Sequence, residues 1–466
     1  MPRGRGAIAA ILTGLLIVGS AAGSQTGPEP LATELLREIV GIRSSEAFPD
    51  NTQRLLEQLG QRLVEAGFSE GDVTFIDAGR LNLVVRYRGT GLRAPLLTMG
   101  HVDVVDADAD SWHADPFTLA EIDGYYYGRG TIDNKSGVVA LVANFIRLRA
   151  EGYEPDRDII MVLTGNEEST MGGISYLARE RRELIDADFA LNTDAVGGGE
   201  LDANGEPSTF RIQMAEKRYQ TYELMATNPG GHSSRPRPDN AIYELAEALV
   251  RLRRYQFPIQ VSEIARESFR VSGERTGGEE GELLRAAGAE TADPEALRRL
   301  AALDPLASST MRTTCVATML EAGVAENALP RVAKATVNCR ILPGVEPSHV
   351  LATLREVVAD ESIEIRPVQS GGTVASLASP MRDDVVQPIR QLVDEIWPGT
   401  AIMPEQATFA TDGLFVRNAG VPVYGVSGLF GDTGDSRAHG LDERVRVDGF
   451  HDSIEFWYRL LKRFSS

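Results

Sequence analysis

Apolar residues recur along this chain at two spacings, and the two spacings take turns. Across residues 30–43 and 51–66 they return every three or four positions. Leu55, Leu56, Leu59, Leu63 and Val64 fall on one face, which predicts amphipathic helices. Residues 82–87, 95–99, 159–163 and 189–191 are short, nearly unbroken apolar runs, which predict buried strands. In 137–149, Val138, Val139, Leu141, Val142, Phe145 and Ile146 crowd one side, as in a helix laid on a sheet. Strand, helix and strand in alternation predict an α/β domain with a mostly parallel sheet.

Near residue 210 the pattern changes. Residues 211–226 alternate like a strand pair, and 240–255 read as a strong amphipathic helix. Strands are predicted around Cys315 and Cys339 (313–320 and 333–342), a helix at 349–359 and a strand at 363–365. This predicts an inserted α+β domain over 210–370. Helix 385–396, segment 413–418 and strand 421–424 return to the α/β pattern, so 30–209 and 371–466 form one catalytic domain. Within the insert, 263–309 lean to helix and carry no assignable chemistry.

At 466 residues the chain is long enough for two domains, and 42% hydrophobic with 24% charged residues is a globular balance. A formal charge of -20 argues against nucleic acid or an anionic membrane as partner. Arg3 and Arg5 precede an apolar run over 7–18 and the small residues Ser20-Ala21-Ala22-Gly23-Ser24, the layout of a signal peptide over 1–22. Its rival is an uncleaved anchor. The expected location is therefore exported, periplasmic or secreted, with no membrane contact after cleavage. Export permits disulfides. Cys315 and Cys339 are the two cysteines, and a disulfide and two buried thiols both remain open.

Acidic and imidazole groups stand where the apolar runs end, at the edge of an open sheet where ligands gather. They are His101 and Asp103, Glu167 and Glu168, and Asp194, with Asp133 in a glycine-flanked loop. Each has a plain alternative. Asp133 alone reads as a turn or helix-cap residue, and His101 with Asp103 as a hydrogen-bonded surface pair. His232, in Gly230-Gly231-His232-Ser233-Ser234, alone reads as an exposed loop residue, and His113, His349 and His451 read as surface. Together, one imidazole and several carboxylates at one edge suggest a metal site with nitrogen and oxygen ligands.

The series GHVDVV (100–105), Trp112 with Asp115-Pro116-Phe117, GRGTIDNK (128–135), GNEE (165–168), NTD (192–194), GGHSS (230–234) and AHGLDER (438–444) carries more. In this order it resembles the aminoacylase and carboxypeptidase G metallopeptidase family, which includes carnosinase and succinyl-diaminopimelate desuccinylase. The resemblance implies a catalytic domain interrupted by a lid that mediates homodimerisation. It also implies two divalent ions, zinc first and cobalt or manganese as alternatives. His101 and Asp194 would hold one ion, Glu168 and His439 the other, and Asp133 would bridge both. Asp103 would orient His101, and Glu167 would be the general base. His232 would reach in from a partner's lid, and Arg340, with Asn327, would bind a substrate carboxylate. The peptide bond after the bridging aspartate, Asp133-Asn134, would be cis.

These readings predict an exported, zinc-dependent amide hydrolase for a peptide or N-acyl amino acid with a free carboxylate. Carboxypeptidase or dipeptidase action comes first and N-acyl-amino-acid deacylation second. A non-catalytic binding protein on the same fold is the rival from another class.

Overall fold

The computed structural model describes residues 28–195, 198–368, 375–432 and 434–466. The expected signal peptide, 1–22, lies outside the described residues. Among them, ten strands form one mixed sheet. At its centre Ile159–Thr164, Leu96–His101, Phe189–Asn192 and Val423–Gly425 run parallel, the α/β class the apolar runs predict. Leu81–Tyr87 and Val73–Asp77 extend one side, antiparallel. Pro207–Glu216, Gly199–Leu201 and Phe430–Gly431 extend the other, and Ala401–Ala407 pairs in parallel with Pro207–Glu216.

The central strands are buried on both faces because helices cover both. Lys135–Ala150 packs between the sheet and the helices Pro28–Val40 and Val447–Phe464. It buries Val138, Leu141, Val142, Phe145 and Leu148, at about 1.5–3 kcal/mol for each large side chain removed from water. Its first turn approaches the strand ends closely, and two glycines make this possible. A Cβ on Gly100 would meet Thr193 Oγ1 at 2.6 Å, and one on Gly137 would meet Thr193 Cβ at 2.6 Å.

A second, antiparallel sheet has the order Thr314–Ala322, Val332–Ile341, Arg218–Thr227, Ile363–Val368. On Val332–Ile341, Ala333, Ala335, Val337, Cys339 and Ile341 point into a core covered by helices Ala241–Arg254 and Pro347–Val358. The alternate residues, Arg340 among them, face the other way. Cys315 opposes Cys339 in this register and the two form a disulfide.

Two details differ from the expected insert over 210–370. Residues 211–226 do form two strands, but they do not pair. Pro207–Glu216 belongs to the large sheet and Arg218–Thr227 to the small one, so the change of sheet falls at Lys217. Alternation records that each strand has two faces and carries no information about which sheet receives it. The helices Glu263–Arg275, Gly278–Ala287, Pro294–Leu303 and Pro305–Thr310 build a small core of their own, and the first packs on strand Ala401–Ala407. No helix among the described residues is long and apolar enough to cross a membrane.

Candidate metal centre and substrate cleft

Three neighbouring parallel strands end together, and each delivers a polar side chain. His101 closes Leu96–His101, Asp194 lies just past Phe189–Asn192, and Glu167 and Glu168 follow Ile159–Thr164. Asp133 stands between two imidazoles. Its Oδ1 lies 3.0 Å from His101 Nε2 and its Oδ2 3.1 Å from His439 Nε2. Asp194 Oδ2 is 3.9 Å from the same His101 nitrogen, and Glu168 Oε1 is 3.0 Å from His439 Nε2. Two ligand groups result, His101 with Asp133 and Asp194, and Asp133 with Glu168 and His439. In each, the donor atoms lie within 4.8 Å of one another, and Asp133 is common to both. The Asp133-Asn134 peptide bond is cis.

Asp103 works differently from the expectation. His101 Nδ1 meets the backbone carbonyl of Asp103 at 2.9 Å, while the Asp103 carboxylate is 3.6 Å from that nitrogen. The carboxylate instead accepts the backbone N–H groups of Glu167 and Glu168, at 3.1 and 3.0 Å. A two-residue spacing is short enough for the main chain to reach the ring, which frees the side chain for the next strand's loop. Asp103 therefore fixes both glutamates.

Glu443, inside the AHGLDER stretch, was assigned no role from the sequence. It is fully buried. One oxygen accepts the N–H groups of Ile132 (2.7 Å) and Asp133 (3.0 Å); the other accepts Gly130 N–H (3.0 Å) and Arg129 Nη1 (2.6 Å). Arg129 in turn donates to Gly440 O and lies 5.0 Å from the centre of the Trp112 ring. Glu443 thus ties the loop of Asp133 to that of His439, whose own backbone is held at φ 61°. Asp412 is a second such residue: it accepts a hydrogen bond from Thr164 Oγ1 at 2.5 Å beneath the strand ends.

The electrostatics fit a cation site. Burial pushes the carboxyls of Glu167 and Asp194 well above the usual carboxylate range, and that of Asp412 up to about 7. Hydrogen bonds to Asp133 and Glu168 push His439 up to about 10. Burial opposes the charged form of His101, yet Asp103 and Asp133 hold its pKa well above the ordinary value. The chain gathers more buried carboxylate than its own cations neutralise, so protons stand where divalent ions would otherwise balance the charge. Imidazole nitrogens, carboxylate oxygens and one shared carboxylate suit a pair of zinc, cobalt or manganese ions.

Asp133, Glu167, Glu168, Asp194 and His439 open onto a cleft of about 560 Å³. Arg218, Tyr219 and Arg340 line it, as do the apolar side chains of Met171, Phe409, Leu414 and Phe415. Arg340 faces Tyr219 across the strand pair, its guanidinium 4.7 Å from the ring centre. Neither His232 nor Asn327 lines this cleft. His232 is exposed in the two-residue strand Gly231–His232, where its Nδ1 accepts Ser234 N–H at 3.1 Å. Asn327 is its neighbour, accepting Ser233 N–H through its carbonyl.

A mostly parallel sheet with two ligand groups sharing a carboxylate, and a buried glutamate beside them, defines a hydrolytic metal-site class. The model of peptidase family M20/M25/M40 matches residues 97–463, and the chain belongs to that family of hydrolases. The chain is 30% identical over 388 residues to the human N-fatty-acyl-amino acid synthase/hydrolase PM20D1, covering 79% of this chain and 74% of that one. It is 26% identical over 383 residues to a probable carboxypeptidase S-like 2 of Dictyostelium discoideum, covering 79% and 71%. Among solved structures, the M20 family metallo-carboxypeptidase Sso-CP2 of Sulfolobus solfataricus superposes with a TM-score of 0.72 at 20% identity, over 93% of this chain and 99% of that one. The resemblance carried by the sequence motifs is borne out.

Proposed function

We propose that this chain is an exported metal-dependent amidohydrolase that cleaves the amide bond of an N-acyl amino acid. The observation that carries this reading is the lining of the cleft. Arg340 offers a guanidinium suited to a carboxylate. In the same cleft Met171, Phe409, Leu414 and Phe415 offer a surface suited to an apolar acyl chain. The sequence favours a dipeptidase first, and a carboxypeptidase S-like relative keeps that reading in play. A dipeptide, however, would bring an ammonium into a cleft whose lining, apart from Asp133, Glu167, Glu168 and Asp194, carries no acidic side chain, and burying an unpaired charge is costly. A non-catalytic binder would have no use for a complete ligand set with Glu167 beside it.

His101, Asp133 and Asp194 would hold one divalent ion, and Asp133, Glu168 and His439 the other. Such a pair polarises a carbonyl and lowers the pKa of an attacking water. The chain's own residues do the rest. Glu167, buried at the cleft and held by Asp103, takes a proton from the attacking water and passes one to the leaving nitrogen. Arg340 orients the substrate through its carboxylate.

The partner surface we propose is the edge strand Thr314–Ala322. It exposes Val316, Met319 and Leu320 at 60%, 61% and 65%, an open edge that natural sheets cover or blunt. Pairing there would form a homodimer and give His232 a route to a neighbouring cleft. The Cys315–Cys339 disulfide on the same sheet supports an oxidising location.

The test is a panel of N-acyl amino acids and dipeptides offered to metal-reconstituted enzyme. Higher kcat/KM on the acyl series supports the reading; activity confined to dipeptides overturns it.

A further inference from the structure

The helices over 262–311 have no part in the chemistry above, yet their entry and exit are tied to the two chain stretches that lead to Phe409 and Tyr219 in the cleft lining. Gln406 is buried, and both ends of its amide are used. Its Oε1 accepts the hydroxyl of Ser262 at 2.7 Å, at the residue that caps helix Glu263–Arg275. Its Nε2 donates to Thr310 O at 2.8 Å, at the end of helix Pro305–Thr310. One side chain therefore staples the first and last turns of the helical segment to strand Ala401–Ala407. Phe409, in the cleft lining, lies just beyond that strand's end.

Lys217 completes the arrangement from the other side. Its backbone N–H donates to Ala407 O at 3.0 Å. Its Nζ donates to Ser309 O at 3.0 Å and Arg312 O at 2.9 Å, at the exit of the same helices. Lys217 is also where the chain leaves the large sheet for the strand that carries Tyr219. The exit of the helical segment, Gln406 and Lys217 thus form a closed triangle. Phe409 and Tyr219 extend from two of its corners.

We propose that Gln406 and Lys217 are positioning residues through which this helical segment sets the placement of Phe409 and Tyr219 in the cleft, and so the acyl chain length the enzyme prefers. The inference rests on the amidohydrolase reading above. The segment has a core of its own, made by Phe269, Leu283, Leu284, Leu300 and Met311, so it can act as a rigid support. The packing of helix Glu263–Arg275 on strand Ala401–Ala407 and the hydrogen bonds at the segment's two ends transmit that rigidity to the 407–411 loop. Packed interiors pass on such displacements instead of absorbing them.

The experiment compares wild-type, Gln406→Leu, Gln406→Glu and Lys217→Met enzymes on acetyl, octanoyl and palmitoyl derivatives of one amino acid. Metal content and melting temperature are measured alongside. Gln406→Leu loses both bonds, whereas Gln406→Glu keeps the acceptor for Ser262 and loses the donor to Thr310. We expect the ratio of kcat/KM between long and short acyl chains to shift about tenfold in Gln406→Leu and less in Gln406→Glu, with metal content unchanged. A shift of that size is within what pocket shape contributes to discrimination. A parallel fall on all three substrates, or an unchanged ratio, overturns the proposal whatever the melting temperature does. Should Gln406→Leu fail to fold, Gln406→Glu and Lys217→Met are held to the same criterion. A wild-type enzyme inert on the acyl series but active on dipeptides overturns only the substrate reading. The ratio is then taken across dipeptides graded in N-terminal side-chain size, with the same outcomes deciding.

Discussion

Glu443 accepts the backbone N–H of Asp133 at 3.0 Å, so the residue shared by both ligand groups is held through its main chain by a buried carboxylate beside His439. Replacing Glu443 by Gln places an amide donor against backbone donors and leaves Arg129 without its anion. We expect metal affinity to fall by roughly 10–100-fold, the usual cost of losing a group that supports a ligand. Glu443→Ala should also destabilise the fold by about 3–5 kcal/mol, because the Arg129 charge stays buried and unpaired. Metal competition titration and denaturant unfolding measure the two effects separately.

Glu167→Gln and Glu168→Gln should separate chemistry from metal binding, although the residues are adjacent. Only Glu168 belongs to a ligand group. Glu167→Gln should retain bound metal and lose at least about 10²–10⁴ in turnover, the contribution of a positioned acid–base group. Glu168→Gln should lose metal as well. Elemental analysis beside steady-state kinetics decides, and near-normal turnover in Glu167→Gln removes it from the role of base.

Arg340→Met removes the guanidinium from the cleft while keeping most of its length. A charged hydrogen bond contributes about 1.5–3 kcal/mol, so kcat/KM for substrates with a free carboxylate should drop by roughly 10–150-fold, mainly through KM. Substrates amidated at that carboxylate should be handled equally by both enzymes. A variant that discriminates between the two substrate types as sharply as wild type assigns carboxylate recognition elsewhere.

Metal removal should leave a protein whose stability falls as pH rises. In the metal-free chain the buried carboxyl of Asp412 keeps its proton up to about 7, above its ordinary 3.8, and His439 up to about 10, above 6.5. Asp412 and His439 therefore bind more protons in the folded than in the unfolded state, whereas the buried Lys135 and Lys217, pushed down to about 7, oppose them above that pH. Stability drops as pH climbs to the folded-state value of Asp412. The decline should extend from about pH 4 to pH 7 and flatten once metal is restored. Thermal unfolding across that range, with and without chelator, measures it; a rising curve contradicts the assignment.

His232→Ala tests the proposed dimer. With His232 outside its own chain's cleft, a role in oxyanion stabilisation requires a partner subunit. We expect a loss of about 10²–10³ in turnover with metal content unchanged. Mixing the variant with Glu167→Gln protein should restore part of the activity. Unchanged kinetics in His232→Ala ends the proposal for that residue.

What could be read from the residues alone divides along physical lines. His101, Asp133, Glu167, Glu168, Asp194 and His439 were legible because each follows an apolar strand or stands in a glycine-bounded loop, and because the motifs recur in one order. Arg340 was legible through its motif, and the structure places it in the cleft. Asp103 was misassigned in detail, since spacing gives proximity to His101 and cannot distinguish a carbonyl from a carboxylate. Glu443, Asp412 and Gln406 were not legible. Their partners lie far away in sequence, and one glutamate or glutamine in a chain with 67 acidic residues carries no mark of burial. The helices over 262–311 could be anticipated as helices, but which strand they rest on is settled by packing.

The division of Asp133 between two imidazoles also constrains how the site fills. Orienting one oxygen fixes the plane of the carboxylate and therefore the direction of the other. A first ion held there would order Asp133 at some cost to its own binding, and a second would find that ordering complete. Linkage requires the effect to be reciprocal, so whichever position loads first strengthens the other by the same factor. Opposing this is the repulsion between two like charges at close range. The slope of a loading curve therefore reports directly which is larger, the preorganisation supplied by one aspartate or the charge it must neutralise.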